Sequence, residues 1–323
     1  MTAEDQISAK QMTTKSSQNS NISNPSVLSW VKAFRLRTLP LALSSILMGS
    51  FLAIHENNYQ WTVIILAVIT TTLLQILSNL SNDYGDAMKG TDNENRLGPA
   101  RTVQSGEISP KQMKIAMSLF VILTLISGIW LIVESFGDDW AKAAIFLLFG
   151  VTAIVASIKY TVGNKSYGYA GYGDLFVYIF FGLLAVIGTY FLNTLSFSWL
   201  ILLPASTLGF LSTAVLNLNN MRDIKNDLNS GKETIAVRIG YNYARQYQVF
   251  LITGSFLATF LYVLFTYNSY WEFLFLATLP LFVYNLIGVY KVKEHKQLDP
   301  YLKKTALSTL LFVIVFGIGL LIK

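Results

Sequence analysis

The chain has 323 residues, of which 53% are hydrophobic and only 13% are charged, with a net charge of +6, two histidines and no cysteine. A soluble domain carries about 25% charged residues, so this composition indicates a membrane protein whose basic residues lie in loops. The absence of cysteine excludes disulfides, thiolate metal sites and cysteine nucleophiles, and two histidines argue against a multi-histidine zinc site.

The first predicted element is a polar tail. Residues 1–25 are rich in Ser, Asn, Gln and Thr and contain no apolar run, so we predict a disordered cytoplasmic tail rather than a signal peptide.

Residues 26–323 are expected to form a single transmembrane domain. Nine apolar segments of roughly the 20 residues needed to cross a bilayer follow, at 39–54, 61–81, 115–133, 140–158, 175–192, 199–218, 244–267, 271–290 and 305–322. The predicted fold class is an all-α, polytopic membrane bundle of nine transmembrane helices.

The basic residues predict the orientation of the spans. When Lys and Arg are sorted onto the two sides that nine spans create, 22 of the 24 lie on the side of the N-terminus. By the positive-inside rule that side is cytoplasmic, and the C-terminus would then lie outside. Most of the tryptophans fall at the opposite interface, where an amphipathic indole is expected.

Two polar clusters follow spans two and six on the cytoplasmic side. The first contains Asn79, Asn82, Asp83 and Asp86, and the second contains Asn219, Asn220, Asp223 and Asp227. Steps of three and four residues place the members of each cluster on one helix face. Solvation of a helix end explains neither this spacing nor its repetition, and ionisable groups near hydrocarbon favour a functional role.

The repetition predicts a metal site. The register N-x-x-x-D occurs in both clusters, which lie four spans apart, and this indicates a duplicated four-helix unit whose equivalent groups face each other. Carboxylates that converge repel one another unless cations intervene. Carboxylate and amide oxygens suit Mg²⁺, which also binds substrate phosphates. The candidate metal ligands are Asn82, Asp86, Asn219, Asp223 and Asp227.

The loops beside the clusters are basic and favour a diphosphate ligand, because Arg and Lys next to a metal are suited to hold one. The candidate diphosphate-binding residues are Arg96, Arg101, Arg222, Lys225 and Lys232. Asp174 opens span five, where helix capping and a substrate contact are equally open interpretations. Asp92, Glu94 and Glu107 are interpreted as solvated termini or caps.

The two clusters resemble those of the UbiA superfamily of intramembrane prenyltransferases, whose pattern is N-D-x-x-D at the end of helix two and D-x-x-x-D after helix six. Here these motifs occupy residues 82–86 and 223–227, and the nine-span layout also matches. Strings at 96–101, 160–165 and 231–234 resemble the branch that prenylates 1,4-dihydroxy-2-naphthoate. Branches that use 4-hydroxybenzoate place Tyr-x-x-x-Lys after span four, whereas this chain has Asn164 at the fourth step and Lys165 one position later.

The resemblance implies an enzyme of menaquinone synthesis in the bacterial cytoplasmic (inner) membrane. Such an enzyme would transfer a polyprenyl chain from an allylic diphosphate to 1,4-dihydroxy-2-naphthoate, with loss of CO₂ and diphosphate, giving demethylmenaquinol. It would use Mg²⁺, with no nucleic acid and no obligate protein partner. The candidates for the group that takes the phenolic proton are Asp83, Lys165 and Asp174.

Two alternatives to this function remain open from the sequence. The first is a prenyltransferase for another aromatic acceptor, such as 4-hydroxybenzoate or homogentisate. The second is a cation-coupled secondary transporter, which would place its ionisable residues near the bilayer midplane rather than at one edge.

Overall fold

A computed structural model describes residues 25–92, 97–164 and 166–322. Within these ranges nine helices are long and apolar enough to cross a membrane, as predicted. They are α1 (Val27–His55), α2 (Trp61–Met88), α3 (Pro110–Phe136), α4 (Trp140–Lys159), α5 (Gly173–Thr194), α6 (Trp199–Asn229), α7 (Ile235–Thr266), α8 (Tyr270–Lys291) and α9 (His295–Leu321). The chain is thus a multi-pass, all-helical membrane protein. Residues 1–24 of the predicted tail, and the candidates Arg96 and Lys165, lie outside the described residues.

Several helices extend beyond the apolar segments on the polar side of the bundle. Helix α2 continues to Met88 and α6 to Asn229, whereas hydropathy placed their ends at Ser81 and Leu218. The polar side chains of the extra turns find partners: Asp83 accepts hydrogen bonds from Thr102 N at 3.0 Å and from Thr102 Oγ1 at 2.7 Å. Both polar clusters are therefore helical along their whole length.

Helix α1 begins earlier than predicted and is interrupted. Its first part, Val27–Phe34, is capped by the Ser26 side chain, and the break comes at Arg35, whose φ of 50° is left-handed. The membrane-crossing part, Leu39–His55, then starts with proline in its first turn, as is common for helices.

Helix α6 forms the centre of the bundle. Leu208, Leu211 and Ala214 are fully buried in an apolar core that α1, α5, α7, α8 and α9 also line. Helix α5 approaches it closely: a Cβ at Gly182 would lie 2.6 Å from Gly209 Cα, and a Cβ at Gly209 would lie 2.6 Å from the Tyr178 ring, so neither position has room for a side chain. This contact packs the middle of α5 directly against α6, and at the start of α5 the Thr213 hydroxyl of α6 donates to Asp174 O at 3.4 Å.

A second close approach joins α2 to the loop after α4. A Cβ at Gly85 would lie 2.5 Å from Thr161 Oγ1, the hydroxyl that hydrogen-bonds Ser81 O at 2.9 Å and Asn82 Oδ1 at 3.2 Å. Gly85 therefore allows this loop to pack directly on the helix turn that carries Asn82 and Asp86.

We expect Gly85→Ala to lower the free energy of unfolding by about 1–3 kcal/mol, because an added methyl group would overpack this contact. The measurement is thermal unfolding of the detergent-solubilised protein. Gly150→Ala is the matched control, since a Cβ at Gly150 meets no atom within 4 Å. Equal melting temperatures for the two variants would contradict the close approach.

Candidate active site at the polar end of the bundle

The polar ends of α2 and α6 lie side by side, as the repeated clusters predict. Asn226 Nδ2 on α6 donates to Thr91 O, just after α2, at 2.9 Å. Lys232 Nζ lies 3.7 Å from Asp227 Oδ1 and is also within electrostatic range of Asp86. Asp86 and Asp227 therefore share a site, with the ammonium group of Lys232 near both.

Asp86 is buried and held by two donors from separate loops. The Tyr169 hydroxyl donates to Asp86 Oδ1 at 2.8 Å, and Arg101 Nη2 lies 3.4 Å from Oδ2. Arg101 Nε is also 3.5 Å from Asp92 Oδ2, so this guanidinium lies between two carboxylates. Burial and the charge of Asp86 raise the pKa of Tyr169, which therefore remains a donor at neutral pH.

Lys232 reaches the site because the chain turns sharply after α6. Gly231 has a φ of 67°, and the Lys232 amide donates to Asp227 O at 2.8 Å. Burial disfavours the charged form of Lys232, but the charges of Asp227 and Asp86 outweigh that effect and raise its pKa. Lys232 therefore carries a positive charge throughout the physiological pH range.

The ring of Tyr169 lies close to two ammonium groups. Lys89 Nζ is 3.8 Å from the ring centroid and Lys232 Nζ is 5.5 Å from it, and Lys89 also donates to the Ser166 hydroxyl. The same loop is fixed to the chain after α6, because the Glu233 amide donates to Tyr169 O at 2.9 Å. Sequence reasoning missed Tyr169 because its closeness to Asp86 arises only when the two loops pack together.

The second cluster is divided between two partners. Arg222, only 2% exposed, donates to Asp223 through Nε at 3.0 Å and Nη2 at 2.6 Å, and to Asn219 Oδ1 at 2.9 Å. Its Nη1 donates to Asp299 at the start of α9. Arg222 thus neutralises Asp223 and hydrogen-bonds Asn219, whereas Asp227 faces Asp86.

A further cation lies near this group. Arg37, in the interrupted part of α1, is within electrostatic range of Arg101, Arg222 and Asp299. Sequence analysis did not select Arg37, because nothing in its local sequence shows that α1 packs beside the ends of α2 and α6.

Two candidates do not turn their side chains toward the shared acids. Lys225 is exposed and lies near His295. It is two positions beyond Asp223, which is a rotation of about 200° around the helix, so the two side chains point in nearly opposite directions. Asp83 is 1% exposed and accepts hydrogen bonds from Thr102 N at 3.0 Å, Thr102 Oγ1 at 2.7 Å and Val103 N at 3.1 Å. The geometry thus favours a solvated surface position for Lys225 and a loop anchor for Asp83, in place of the diphosphate-binding and proton-accepting roles expected of them.

We expect Asp83→Ala to destabilise the loop that carries Arg101. The variant leaves three buried donors unpaired, which costs about 1–3 kcal/mol for such a group, and it frees Arg101 to move away from Asp86. Thermal unfolding should show the loss of stability, and kinetics should show a larger rise in KM for the diphosphate substrate than fall in kcat. A variant with wild-type stability and KM would contradict the anchoring role.

Asp174 lies at the start of α5 and is 4% exposed. The helix cap is Tyr172, so Asp174 does not cap this helix. Tyr247 lies within electrostatic range of its carboxylate, and Asp174 Oδ2 has no hydrogen-bond partner among the residues that the structure describes. Tyr160 is within electrostatic range of Asp174 and of Asp86, and burial together with these charges raises the pKa of Tyr160 to about 12. A neutral phenol therefore lies near both Asp174 and the acid site.

The donor set fits a magnesium ion shared with a diphosphate. Asp227 is 2% exposed, and its Oδ2 lacks a hydrogen-bond partner within the described ranges. Across those same ranges no three carboxylate or imidazole groups converge into a metal site by themselves. Mg²⁺ commonly binds one or two carboxylates and completes its shell with phosphate oxygens and water, so such an incomplete set of acids suits it.

Comparison with known sequences gives close relatives over most of the chain. The chain is 42% identical over 291 residues to 1,4-dihydroxy-2-naphthoate octaprenyltransferase of Escherichia coli (strain K12), covering 90% of this chain and 94% of the relative. It is 43% identical over 304 residues to the Haemophilus influenzae protein of the same name, covering 93% and 97%.

Solved structures share the fold at low sequence identity. A UbiA homologue from Aeropyrum pernix K1 matches with a TM-score of 0.62 at 14% identity, covering 88% of this chain and 95% of that one. A UbiA homologue from Archaeoglobus fulgidus, bound to GPP and Mg²⁺, matches with a TM-score of 0.57 at 16% identity, covering 89% and 99%. The family model described as "UbiA prenyltransferase family" matches residues 42–312. The chain therefore belongs to the UbiA prenyltransferase family.

Proposed function

We propose that the protein transfers a polyprenyl chain from an allylic diphosphate to 1,4-dihydroxy-2-naphthoate, releasing CO₂ and diphosphate and giving demethylmenaquinol for menaquinone synthesis. The arrangement of Asp86 and Asp227 around Lys232 is the observation that carries the chemistry. The choice of acceptor is supported by the 42% and 43% identity to two 1,4-dihydroxy-2-naphthoate octaprenyltransferases.

The acids would hold the cofactor and, through it, the diphosphate. We assign Asn82, Asp86 and Asp227 to direct metal contact, with Asp223 one turn and Asn219 two turns before Asp227 on α6. When bound, Mg²⁺ would neutralise charge on the diphosphate, in keeping with the solved UbiA homologue that contains GPP and Mg²⁺.

The cations of the site would stabilise the leaving group. As the allylic C–O bond breaks, negative charge grows on the diphosphate, and donors already fixed in position stabilise that charge most in the transition state. Arg101, Arg222 and Lys232 are held in place by carboxylates of α2 and α6. Arg96 remains a candidate for the same role by its position in the sequence between α2 and α3.

The remaining steps concern the ring and its proton. The ring carbon that bears the carboxylate attacks the allylic carbon, and the phenolic proton moves to a base. Loss of CO₂ then returns the electron pair to the ring, and the proton goes back to the oxygen. We assign the base to Asp174, whose buried oxygen lacks a partner among the described groups and which lies near Tyr160. Lys165 remains an alternative from the sequence.

The test is product analysis with purified membranes, Mg²⁺ and octaprenyl diphosphate. Separate reactions receive 1,4-dihydroxy-2-naphthoate, 4-hydroxybenzoate or homogentisate, and products are weighed by mass spectrometry. We expect the mass of the decarboxylated prenyl naphthoquinol only in the first reaction, and none when EDTA is present. Product from another acid would overturn the acceptor, whereas substrate uptake by sealed vesicles without product would support a transporter.

We also propose that the site faces the cytoplasm from the bacterial inner membrane, with the N-terminus inside and the C-terminus outside. This follows from the 22 of 24 basic residues on that side. Because the chain has no cysteine, Gln104→Cys and Asn58→Cys can each be labelled individually. A membrane-impermeant maleimide added to intact cells should label the Asn58→Cys variant only. Labelling of the Gln104→Cys variant instead would show that the orientation is opposite to the one proposed.

A further inference from the structure

A furrow runs between α8 and α9 on the outside of the bundle, separate from the acid site. It contains two adjoining cavities of about 320 Å³ each, and Lys304 lines both. The cavity toward the middle of the helices has mainly apolar walls, including Leu281, Leu307 and Leu311. The cavity toward the helix ends is lined by Lys291 and Gln297 among others. One furrow therefore joins an apolar part to a basic end.

Lys304 is positioned by aromatic rings. Its Nζ lies 5.0 Å from the ring centroid of Tyr284 and 5.1 Å from that of Tyr301. The Tyr301 ring packs against Gly288, where a Cβ would overlap it, so this part of the furrow floor is fixed. The ammonium group is thus held at the point where the two cavities meet.

The positive charge at this end is not neutralised by nearby acids. Within the described ranges, no carboxylate forms an ion pair with any of the five lysines of the α8–α9 corner, namely Lys291, Lys293, Lys296, Lys303 and Lys304. The two acids of the same corner are engaged elsewhere, because Asp299 pairs with Arg222 and Glu294 caps the turn that contains Gln297. An apolar furrow that ends in uncompensated lysines is suited to a molecule with a hydrocarbon chain and an anionic head.

We propose that this furrow binds an anionic phospholipid. The phosphate lies beside Lys304 and Lys291, and an acyl chain lies along Leu281, Leu307 and Leu311. Basic pockets between transmembrane helices are suited to anionic headgroups, and this one lies at the end of the bundle where basic residues are concentrated. A second copy of the chain is a poorer occupant, because a symmetric interface would bring two sets of five lysines together.

The test uses the full chain in detergent with phosphatidylglycerol or phosphatidylcholine, and native mass spectrometry to count retained lipids. We expect preferential retention of phosphatidylglycerol. Lys304→Gln should weaken it about fivefold, the effect of one lysine near an anionic headgroup. Lys114→Gln is the matched control, since Lys114 also lies over a tyrosine ring, 5.4 Å from the centroid of Tyr84, but lines neither cavity.

A second variant, Leu307→Trp, fills the apolar part and should also reduce retention without changing charge. Equal retention of the two lipids, or wild-type retention by both variants, would overturn the proposal. If inorganic phosphate displaced the lipid, the lysines would form a site for a free anion instead. If the protein were a dimer that Leu307→Trp abolished, the furrow would be an interface with a second copy of the chain. None of these outcomes depends on prenyl transfer, so failure here leaves the proposed function untouched.

Discussion

Asp227→Asn is expected to lower kcat/KM for the polyprenyl diphosphate by about 10²- to 10³-fold, the usual loss when one group that stabilises transition-state charge is removed. Asp227 is 2% exposed and its Oδ2 is not used in a hydrogen bond within the described part of the chain. Asparagine keeps the volume and removes the charge that a divalent ion requires. The folded structure should therefore persist while Mg²⁺ dependence shifts to higher concentration.

The measurements for Asp227→Asn are product formation across a magnesium titration and the melting temperature of the purified protein. Asp139→Asn is the control: Asp139 caps α4 and pairs with Lys142 at 2.8 Å, away from the site. Activity within about twofold of wild type at limiting Mg²⁺ would exclude Asp227 from the metal site, because a lost ligand costs at least tenfold.

Lys232→Gln is expected to lower kcat/KM by about 10²-fold, since it removes the cation near both Asp86 and Asp227. The two acids then repel each other, so the variant should also bind Mg²⁺ alone more tightly than wild type. Lys225→Gln is a matched control with the same change of charge at an exposed position close in sequence. Equal kinetic losses in the two variants would show that the effect is general surface charge rather than contact with the diphosphate.

The pH dependence of Lys232 follows from its raised pKa. A lysine whose pKa is raised by folding stabilises the folded protein at every pH below its ordinary value of 10.5, and that stabilisation is lost only as pH rises beyond it. Between neutral pH and pH 9 the activity of wild type should therefore show no titration from Lys232.

The double variant Lys232→Gln with Asp227→Asn should lose less transition-state stabilisation, measured from kcat/KM, than the sum of the losses of the single variants, because the two side chains act as a pair.

The number and order of the spans follow from the sequence because the hydrocarbon layer demands long apolar helices. Their ends do not: the last turns of α2 and α6 are polar, and contacts with distant parts of the chain stabilise them. Asp83 shows this in α2, since its carboxylate accepts hydrogen bonds from Thr102 and Val103 in the loop before α3.

Helical spacing identified the acid clusters but joined two stripes that serve different partners. Asn82 and Asp86 are one turn apart on one stripe, of which Asp86 faces the shared site, whereas Asn79 and Asp83 are one turn apart on an adjacent stripe, about 100° away. Asp83 bonds the loop at Thr102 and Val103, whose distance from it no local pattern reveals. Spacing therefore places residues around a helix, but it does not show which of them contact the same partner.

The ion pair between Arg222 and Asp299 can form only after the last helix has been synthesised, so the site is completed late in synthesis. The two residues are 77 positions apart, on α6 and at the start of the final helix. At about 5–20 residues per second, Asp299 leaves the ribosome roughly 4–15 s after Arg222. During that interval the guanidinium has only the acid of its own helix as counter-ion. Insertion of the last helix therefore supplies the second carboxylate of a guanidinium positioned by earlier helices, and a nascent chain stopped before it would leave Arg222 Nη1 without its Asp299 partner.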